Sequence, residues 1–180
     1  MRVFSDYKEA YAYLQNVLQN ESEAKFIAVI NDTVVHYGPE GGFDQEKAKE
    51  LGLDCYNIRK GGGAMVTSPG DVVFCYATKN KGGIINELLA PFIKNKLFEL
   101  GVQCEGVGND LIINERKCSG FMCVDIGSIR YYGGHFSINC NLDLIKQICT
   151  KPMKKIPGGL AEYGVTTEQM IEWISEFFDK

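Results

Sequence analysis

In the stretch Arg59-Lys60-Gly61-Gly62-Gly63-Ala64, three consecutive glycines separate a strand-like segment, Cys55 to Ile58, from a β-rich one. The latter runs on through Met65-Val66-Thr67-Ser68-Pro69-Gly70-Asp71 into Val72 to Ala77. A residue without a Cβ adopts φ > 0 at no steric cost and lets backbone N–H groups approach a phosphate, a carboxylate or another strand. A tight turn satisfies the same pattern. The two cations ahead of the glycines, and a second Gly/Asn/Lys cluster between Gly106 and Gly120, favour a loop that meets an anion.

On the C-terminal side of the glycines, Pro69-Gly70-Asp71 is a turn signal, which predicts a hairpin of Ala64 to Ser68 with Val72 to Thr78. Ile84, Ile85, Leu88, Leu89, Phe92, Ile93, Leu97 and Leu100 recur at helical spacing and predict the strongest helix of the chain, ended by Gly101 and with Pro91 inside it. Val102 to Cys104, Leu111 to Ile113, Lys117 to Asp125, Ile129 to Tyr132 and His135 to Asn141 read as short strands between Gly and Asn turns. Leu142 to Cys149 is a helix, Lys151 to Lys155 a basic loop, and Thr167 to Phe178 a closing helix with Thr166 and Gln169 in capping-box spacing.

On the N-terminal side, Asp6 and Glu9 start an amphipathic helix over Tyr7 to Gln19. Phe26 to Ile30 and Thr33 to Tyr37 flank Asn31-Asp32 as an expected hairpin, and Phe43 to Leu51 is a short helix closed by Gly52. Asp54 to Arg59 returns to strand. Elements mixed in this way predict an α/β or α+β domain, a mixed β-sheet flanked by helices, over residues 1–180 as one unit.

Composition narrows the class of function. A chain of 180 residues, 45% hydrophobic and 23% charged, supports one sizeable core. Its net charge of −4 argues against a general nucleic-acid binder, whose phosphate contacts need a basic face. No apolar run has the length of a membrane span and the first residues lack a signal-peptide core, so no membrane partner and a cytosolic location are expected. Seven cysteines without a Cys-x-x-Cys pair, beside two histidines, read as buried thiols rather than a zinc site or disulfide framework. His36 reads as a structural histidine.

The second cluster runs Gly106-Val107-Gly108-Asn109-Asp110-Leu111 and, further on, Asn114-Glu115-Arg116-Lys117-Cys118-Ser119-Gly120. Asn114-Glu115 is expected to turn a hairpin that projects Arg116 and Lys117 from the start of a strand. Lys117 would then face a site that Gly120 keeps open and place a point charge against an anion as negative charge builds there. A solvated strand-end lysine is the plain alternative.

Arg59-x-Gly61-Gly62-Gly63-Ala64, Gly108-Asn109-Asp110-Leu111, Arg116-Lys117-x-Ser119-Gly120 and His135-x-Ser137 followed by Asn141 and Asp143 form an ordered set. That set resembles the motifs of the lipoate–protein ligase A family, within the superfamily of biotin–protein ligases and octanoyltransferases. The resemblance implies the biotin/lipoate ligase catalytic-domain fold and an acyl-adenylate enzyme. In such an enzyme a lipoate carboxylate attacks the α-phosphate of ATP, and the acyl group then passes to a lysine of a lipoyl-carrier domain. It further implies that Lys117 contacts the acyl carbonyl and phosphate as the catalytic residue. Gly61, Gly62 and Gly63, with Lys60 and Ala64 in the same loop, would line the acyl and nucleotide pocket, and Arg59 would fix an acyl or phosphate oxygen. Asn109 and Asp110 would lie near the nucleotide and its Mg²⁺, with Asp110 the candidate metal ligand. Ser119, Gly120, His135 and Ser137 complete the implied binding set, His135 shaping the acyl pocket rather than acting as a base.

Four departures from the family pattern bear on substrate and activity. Lys60 replaces a usual Ser, Phe136 replaces a Gly and is expected to crowd the acyl space, and no Arg precedes Asn109-Asp110. The fourth is the absence of the small C-terminal domain of many such ligases, so a separate accessory protein is expected, or a chain that performs only the transfer half. Two other readings stand beside the ligase. One is an ATP-independent acyltransferase using a cysteine thioester on Cys118, Cys140 or Cys149. The other is a non-catalytic binder of acylated carriers.

Overall fold

The computed structural model describes residues 1–58, 63–82, 85–105 and 110–179. In chain order the elements are β1 (Arg2–Phe4), α1 (Tyr7–Gln19), β2 (Ala24–Val29), β3 (Val34–Tyr37), α2 (Gln45–Glu50), β4 (Asp54–Asn57), β5 (Ala64–Thr67) and β6 (Val72–Thr78). They continue with α3 (Ile85–Glu99), β7 (Ile112–Ile113), β8 (Arg116–Lys117), β9 (Ser119–Ile126), β10 (Ile129–Phe136), α4 (Leu142–Ile148), β11 (Ile156–Pro157), a 3-10 turn at Leu160–Tyr163 and α5 (Thr167–Asp179). Three sheets result, ordered β1-β2-β6-β10-β9, β4-β3-β5 and β11-β8-β7. No helix among the described residues is long and apolar enough to cross a membrane.

The five-stranded sheet is buried on both faces, because its strands alternate apolar side chains to either side. Phe26, Ala28, Cys75 and Tyr131 face one way and meet Tyr7, Ala10 and Leu14 of α1. Ile27, Val72, Phe74 and Phe136 face the other way, against Leu89, Ile93 and Leu97 of α3 and Met170, Trp173 and Ile174 of α5. Each such fully buried side chain contributes roughly 1.5–3 kcal/mol relative to exposure. Helix α1 begins where the Asp6 carboxylate accepts from the Lys8 N–H at 2.8 Å. In α3 the buried stripe is Leu89, Ile93 and Leu97, so Leu88 and Leu100, though counted in its apolar pattern, lie exposed off the stripe. The expected capping box closes the start of α5, with Thr166 N–H donating to Gln169 Oε1 at 2.9 Å and Gln169 N–H to Thr166 Oγ1 at 3.2 Å.

Two expected hairpins are not formed, although their strands are. Strand β2 pairs with β1 and β6, while β3 pairs with β4 and β5; β6 likewise leaves β5 for β2 and β10. The cause lies at Asp71. Pro69-Gly70-Asp71 does turn, with Gly70 at φ +89, but besides its own Ser68 the turn is bound to distant parts of the chain. Ile30 N–H donates to the Asp71 carbonyl at 2.9 Å and Gly70 N–H to the Ile30 carbonyl at 2.8 Å. The buried Asp71 carboxylate accepts from the N–H groups of Ser68 at 2.8 Å, Ile138 at 2.6 Å and Asn139 at 2.9 Å. The chain therefore crosses between sheets at both Asn31-Asp32 and Ser68 to Asp71.

A third difference concerns Gly133-Gly134, expected to interrupt two strands. Ile129–Phe136 is one strand. The glycines serve packing: a Cβ on Gly134 would stand 2.6 Å from Phe74 Cε1 and 2.9 Å from the Gly120 carbonyl. Val102 to Cys104 forms no strand, its neighbour Glu105 making a single bridge to Ile112.

His36 on β3 locks α1 to the second sheet. Its Nδ1 is hydrogen-bonded to the Tyr7 hydroxyl at 3.0 Å and its Nε2 to Thr67 Oγ1 at 3.1 Å. Burial, with a smaller push from His135, lowers its pKa to about 3.

Replacing Gly134 by Val is expected to lower stability by about 1–3 kcal/mol in urea unfolding, through overpacking against Phe74. The depressed pKa of His36 means that its neutral form stabilises the fold above pH ~6.5 and that this stabilisation is lost as pH falls from there toward about 3. By pH 4 the loss is on the order of 3 kcal/mol. Asp71, raised to about 7 by burial against three opposing N–H donors, acts with the opposite sign, favouring the fold at low pH. The wild-type advantage over His36→Gln in the urea midpoint isolates the histidine and should shrink as pH falls below ~6.5.

Candidate functional site

The site is built from the β7–β8 hairpin outward. Asn114 and Glu115 at its tip have φ of +48 and +63, the conformation that a tight two-residue turn demands, as their sequence led one to expect. In β8, successive side chains point opposite ways. Arg116 turns outward, its Nη1 paired with Glu162 Oε2 at 2.5 Å and its Nε–H donating to the Pro157 carbonyl at 3.2 Å. Lys117 turns inward, with Nζ 2.9 Å from Asp110 Oδ1. Strand β8 also pairs in parallel with β11, Lys117 opposite Pro157.

Gly120 opens the space beside Lys117. A Cβ there would stand 3.2 Å from His135 Cε1, a tight contact that the ring would have to yield to, and 3.8 Å from Lys117 Cε, an ordinary one. Gly120 and His135 are direct partners in the β9–β10 ladder. Burial, reinforced by the Lys117 charge, lowers the His135 pKa to about 4, and its buried Nδ1 has no hydrogen-bond partner among the described residues.

Two cavities meet at this point. The first, about 220 Å³, lies between α1 and the sheet and is walled mainly by apolar side chains, among them Leu14, Phe26, Val73, Cys75, Met122 and Tyr131. The second, about 630 Å³, is lined by Asp110, Ser137, Cys140, Cys149, Lys154 and Lys155 among others. Ala64, Met65, Lys117, Gly120 and His135 belong to both linings. An apolar slot thus adjoins a chamber with three lysines in its lining, and Lys117 belongs to both. Such a shape suits a molecule with an apolar tail and an anionic head, beside a second anion.

Of the residues singled out in the sequence, Gly63 lines the slot, Ala64, Lys117, Gly120 and His135 line both spaces, and Asp110 and Ser137 line the chamber. Arg59, Lys60, Gly61, Gly62 and Asn109 lie outside the described residues. Ser119 is buried outside both linings, its hydroxyl accepting the Leu111 N–H at 2.8 Å. Phe136, expected to crowd an acyl chain, does not reach the slot. It points to the opposite face of the sheet and packs on Phe121, ring centroids 5.3 Å apart. Cys118 is likewise a core residue, its thiol pushed up to about 12 by burial. Cys140 and Cys149 line the chamber, and burial raises both thiols.

Lys154 and Lys155 were visible in the sequence as a basic loop but not as part of the site. Only the β8–β11 pairing brings that loop to Lys117. Nor did periodicity alone assign Tyr7, His36 and Cys75 to a cavity wall. Among the described residues no group of three His, Cys, Asp or Glu side chains could hold a metal ion.

A protein-family model for the lipoyl protein ligase A/B catalytic domain matches residues 6–180. A search of curated protein sequences finds no match. Among solved structures, P. falciparum LipL1 in complex with lipoate has a similar fold at a TM-score of 0.79 and 20% identity, over 99% of this chain and 60% of that one. The chain therefore spans 60% of the length of LipL1. A lipoate-protein ligase A bound with ATP aligns at 0.74 and 15% identity, over 96% of this chain and 81% of that one. A bipartite lipoate protein ligase from Thermoplasma acidophilum, solved in a study of an archaeal lipoylation system with its E2 lipoyl domain, aligns at 0.76 and 15%, over 98% and 81%. At these identities the likeness of structures speaks for the fold, while the family model covers almost the whole sequence: the chain belongs to the lipoyl protein ligase A/B catalytic domain family.

Proposed function

We propose that this protein activates lipoate, or octanoate, with ATP and transfers the acyl group from the resulting acyl-AMP to a lysine of a lipoyl-carrier domain. The observation that carries the reading is the junction of an apolar slot and a lysine-lined chamber at Lys117. The acyl tail occupies the slot and its carboxylate reaches the Lys117 ammonium. The triphosphate lies in the chamber against Lys154 and Lys155. Structures of similar fold were solved with lipoate and with ATP, which supports the same two occupants here.

In the first step a carboxylate oxygen attacks the α-phosphorus and pyrophosphate departs. In the second the carrier amine attacks the acyl carbon, the bond to the bridging oxygen breaks, and AMP leaves with its electron pair while the amine's excess protons pass to solvent. Negative charge grows on oxygens at the junction in both steps, and a positioned ammonium stabilises it. Mg²⁺ enters as the counter-ion of the ATP phosphates and supplies charge neutralisation there. Arg59, Lys60, Gly61, Gly62 and Asn109 complete the nucleotide and acyl contacts in this proposal. A carrier domain and an accessory protein are its partners, in keeping with the bipartite ligase of similar fold, and the cytosol its compartment.

The thioester route has less support. A thiol nucleophile needs a lowered pKa, whereas burial raises those of Cys140 and Cys149.

With ATP, Mg²⁺ and lipoate, mass spectrometry of an apo-lipoyl domain should show an ATP-dependent lipoyl adduct. Lys117→Ala should slow its formation by about 10²–10³-fold. Transfer from an acylated carrier without ATP, abolished by a thiol-alkylating reagent, would overturn this reading.

A further inference from the structure

The chamber that suits a triphosphate is hostile to the group that must enter it next. A carrier lysine arrives as an ammonium, and Lys117, Lys154 and Lys155 in the chamber wall repel it. Among the described residues, Asp110 is the one carboxylate in the lining of either cavity. It already holds an ammonium, that of Lys117, at 2.9 Å, and both side chains are only about one-third exposed, at 33% for Asp110 and 36% for Lys117.

We propose that Asp110 is the receiving site for the carrier lysine, which takes the place of Lys117 in this ion pair once the acyl-AMP is formed. The inference rests on the acyl-adenylate reading given above. Lys117 lines both cavities and Asp110 only the chamber, so the resting pair holds the Lys117 ammonium on the chamber side. An acyl phosphate at the junction offers Lys117 new anionic oxygens and draws its ammonium toward them. Asp110 is then left as a half-buried carboxylate without its cation, a state relieved by a second ammonium. Its position within one ion-pair distance of Lys117 sets that second ammonium beside the acyl carbon, where it gives up one proton to solvent to expose the lone pair that attacks. Recognition of the nucleophile is thus coupled to occupancy of the site: before activation Asp110 is engaged, and after it the carboxylate is open to the carrier.

The alternative role for Asp110, a ligand of nucleotide-bound Mg²⁺, predicts the opposite partition between the two half-reactions. The test supplies chemically prepared lipoyl-AMP to the full chain without ATP or Mg²⁺ and follows transfer to an apo-lipoyl domain by mass spectrometry. Asp110→Asn is expected to lower kcat/KM for the carrier by about 10- to 100-fold, the worth of a hydrogen-bonded charge, with partial recovery in Asp110→Glu. Hydroxylamine, an amine uncharged at neutral pH, serves as a second acceptor and should be acylated by Asp110→Asn at close to the wild-type rate. Equal loss with both acceptors would show that Asp110 acts only by placing Lys117 and would overturn the proposal. So would unimpaired transfer from lipoyl-AMP in a variant whose adenylation needs more Mg²⁺, which is the outcome for a metal ligand. Failure of the wild-type chain to use lipoyl-AMP at all would sink the underlying reading instead. Retained binding of lipoyl-AMP and an unchanged circular dichroism spectrum confirm that the variants are folded.

Discussion

The buried carboxylate of Asp71 is the constraint on which the arrangement of this molecule depends. The turn before β6 converges on it through Ser68 and the exit of β10 through Ile138 and Asn139, while the end of β2 is tied to the same residue's main chain, Ile30 N–H donating to the Asp71 carbonyl. Removing that acceptor would leave the buried N–H groups of Ser68 and Ile138 without this partner, each costing about 1–3 kcal/mol, and free the part-buried N–H of Asn139. Because β3 and β5 hang from two of these passages, Asp71 also fixes how the second sheet sits against the first. Ala64 and Met65, which separate the two cavities, are carried on that second sheet.

Placement of the site then follows from short-range rules applied to a fixed frame. The two-residue turn at Asn114-Glu115 sets the register of β8, and the alternation of its side chains sends Arg116 out to Glu162 and Lys117 in to Asp110. Gly120 and His135, opposite one another in the β9–β10 ladder, share the space that a side chain on residue 120 would fill. The floor is apolar because one face of β6 and β10 packs against α1, and the far chamber is cationic because β11 delivers Lys154 and Lys155. Neither half of the site comes from a single continuous motif.

What the sequence revealed, and what it hid, divides along the same line. Helices α1 to α5 were legible, since periodicity, and start signals such as Asp6 and Thr166, are local. Strands were legible too, but not their partners. Asn31-Asp32 and Pro69-Gly70-Asp71 carry turn chemistry whichever way the chain proceeds, and only Asp71's long-range hydrogen bonds decide that each is a crossing between sheets. Gly133-Gly134 misled for a related reason: a glycine that breaks a strand and one that admits Phe74 and Phe121 look the same in one dimension. Lys117 was recognised from its motif, whereas Lys154 and Lys155 needed the third dimension, and Phe136, expected to crowd the acyl space because it replaces a Gly of the family pattern, packs in the core on the opposite face of the sheet.

The parallel pairing of β8 with β11 bears on the order in which this protein is made. Lys117 is translated well before Ile156 and Pro157, yet its strand has β11 as one of its two neighbours. On the ribosome the first sheet can assemble from β1, β2, β6, β9 and β10 while β8 still lacks that flank. Completion of the chamber is therefore a late event of biosynthesis, and a nascent chain released before residue 157 would lack both the finished chamber and α5, which covers one face of the first sheet.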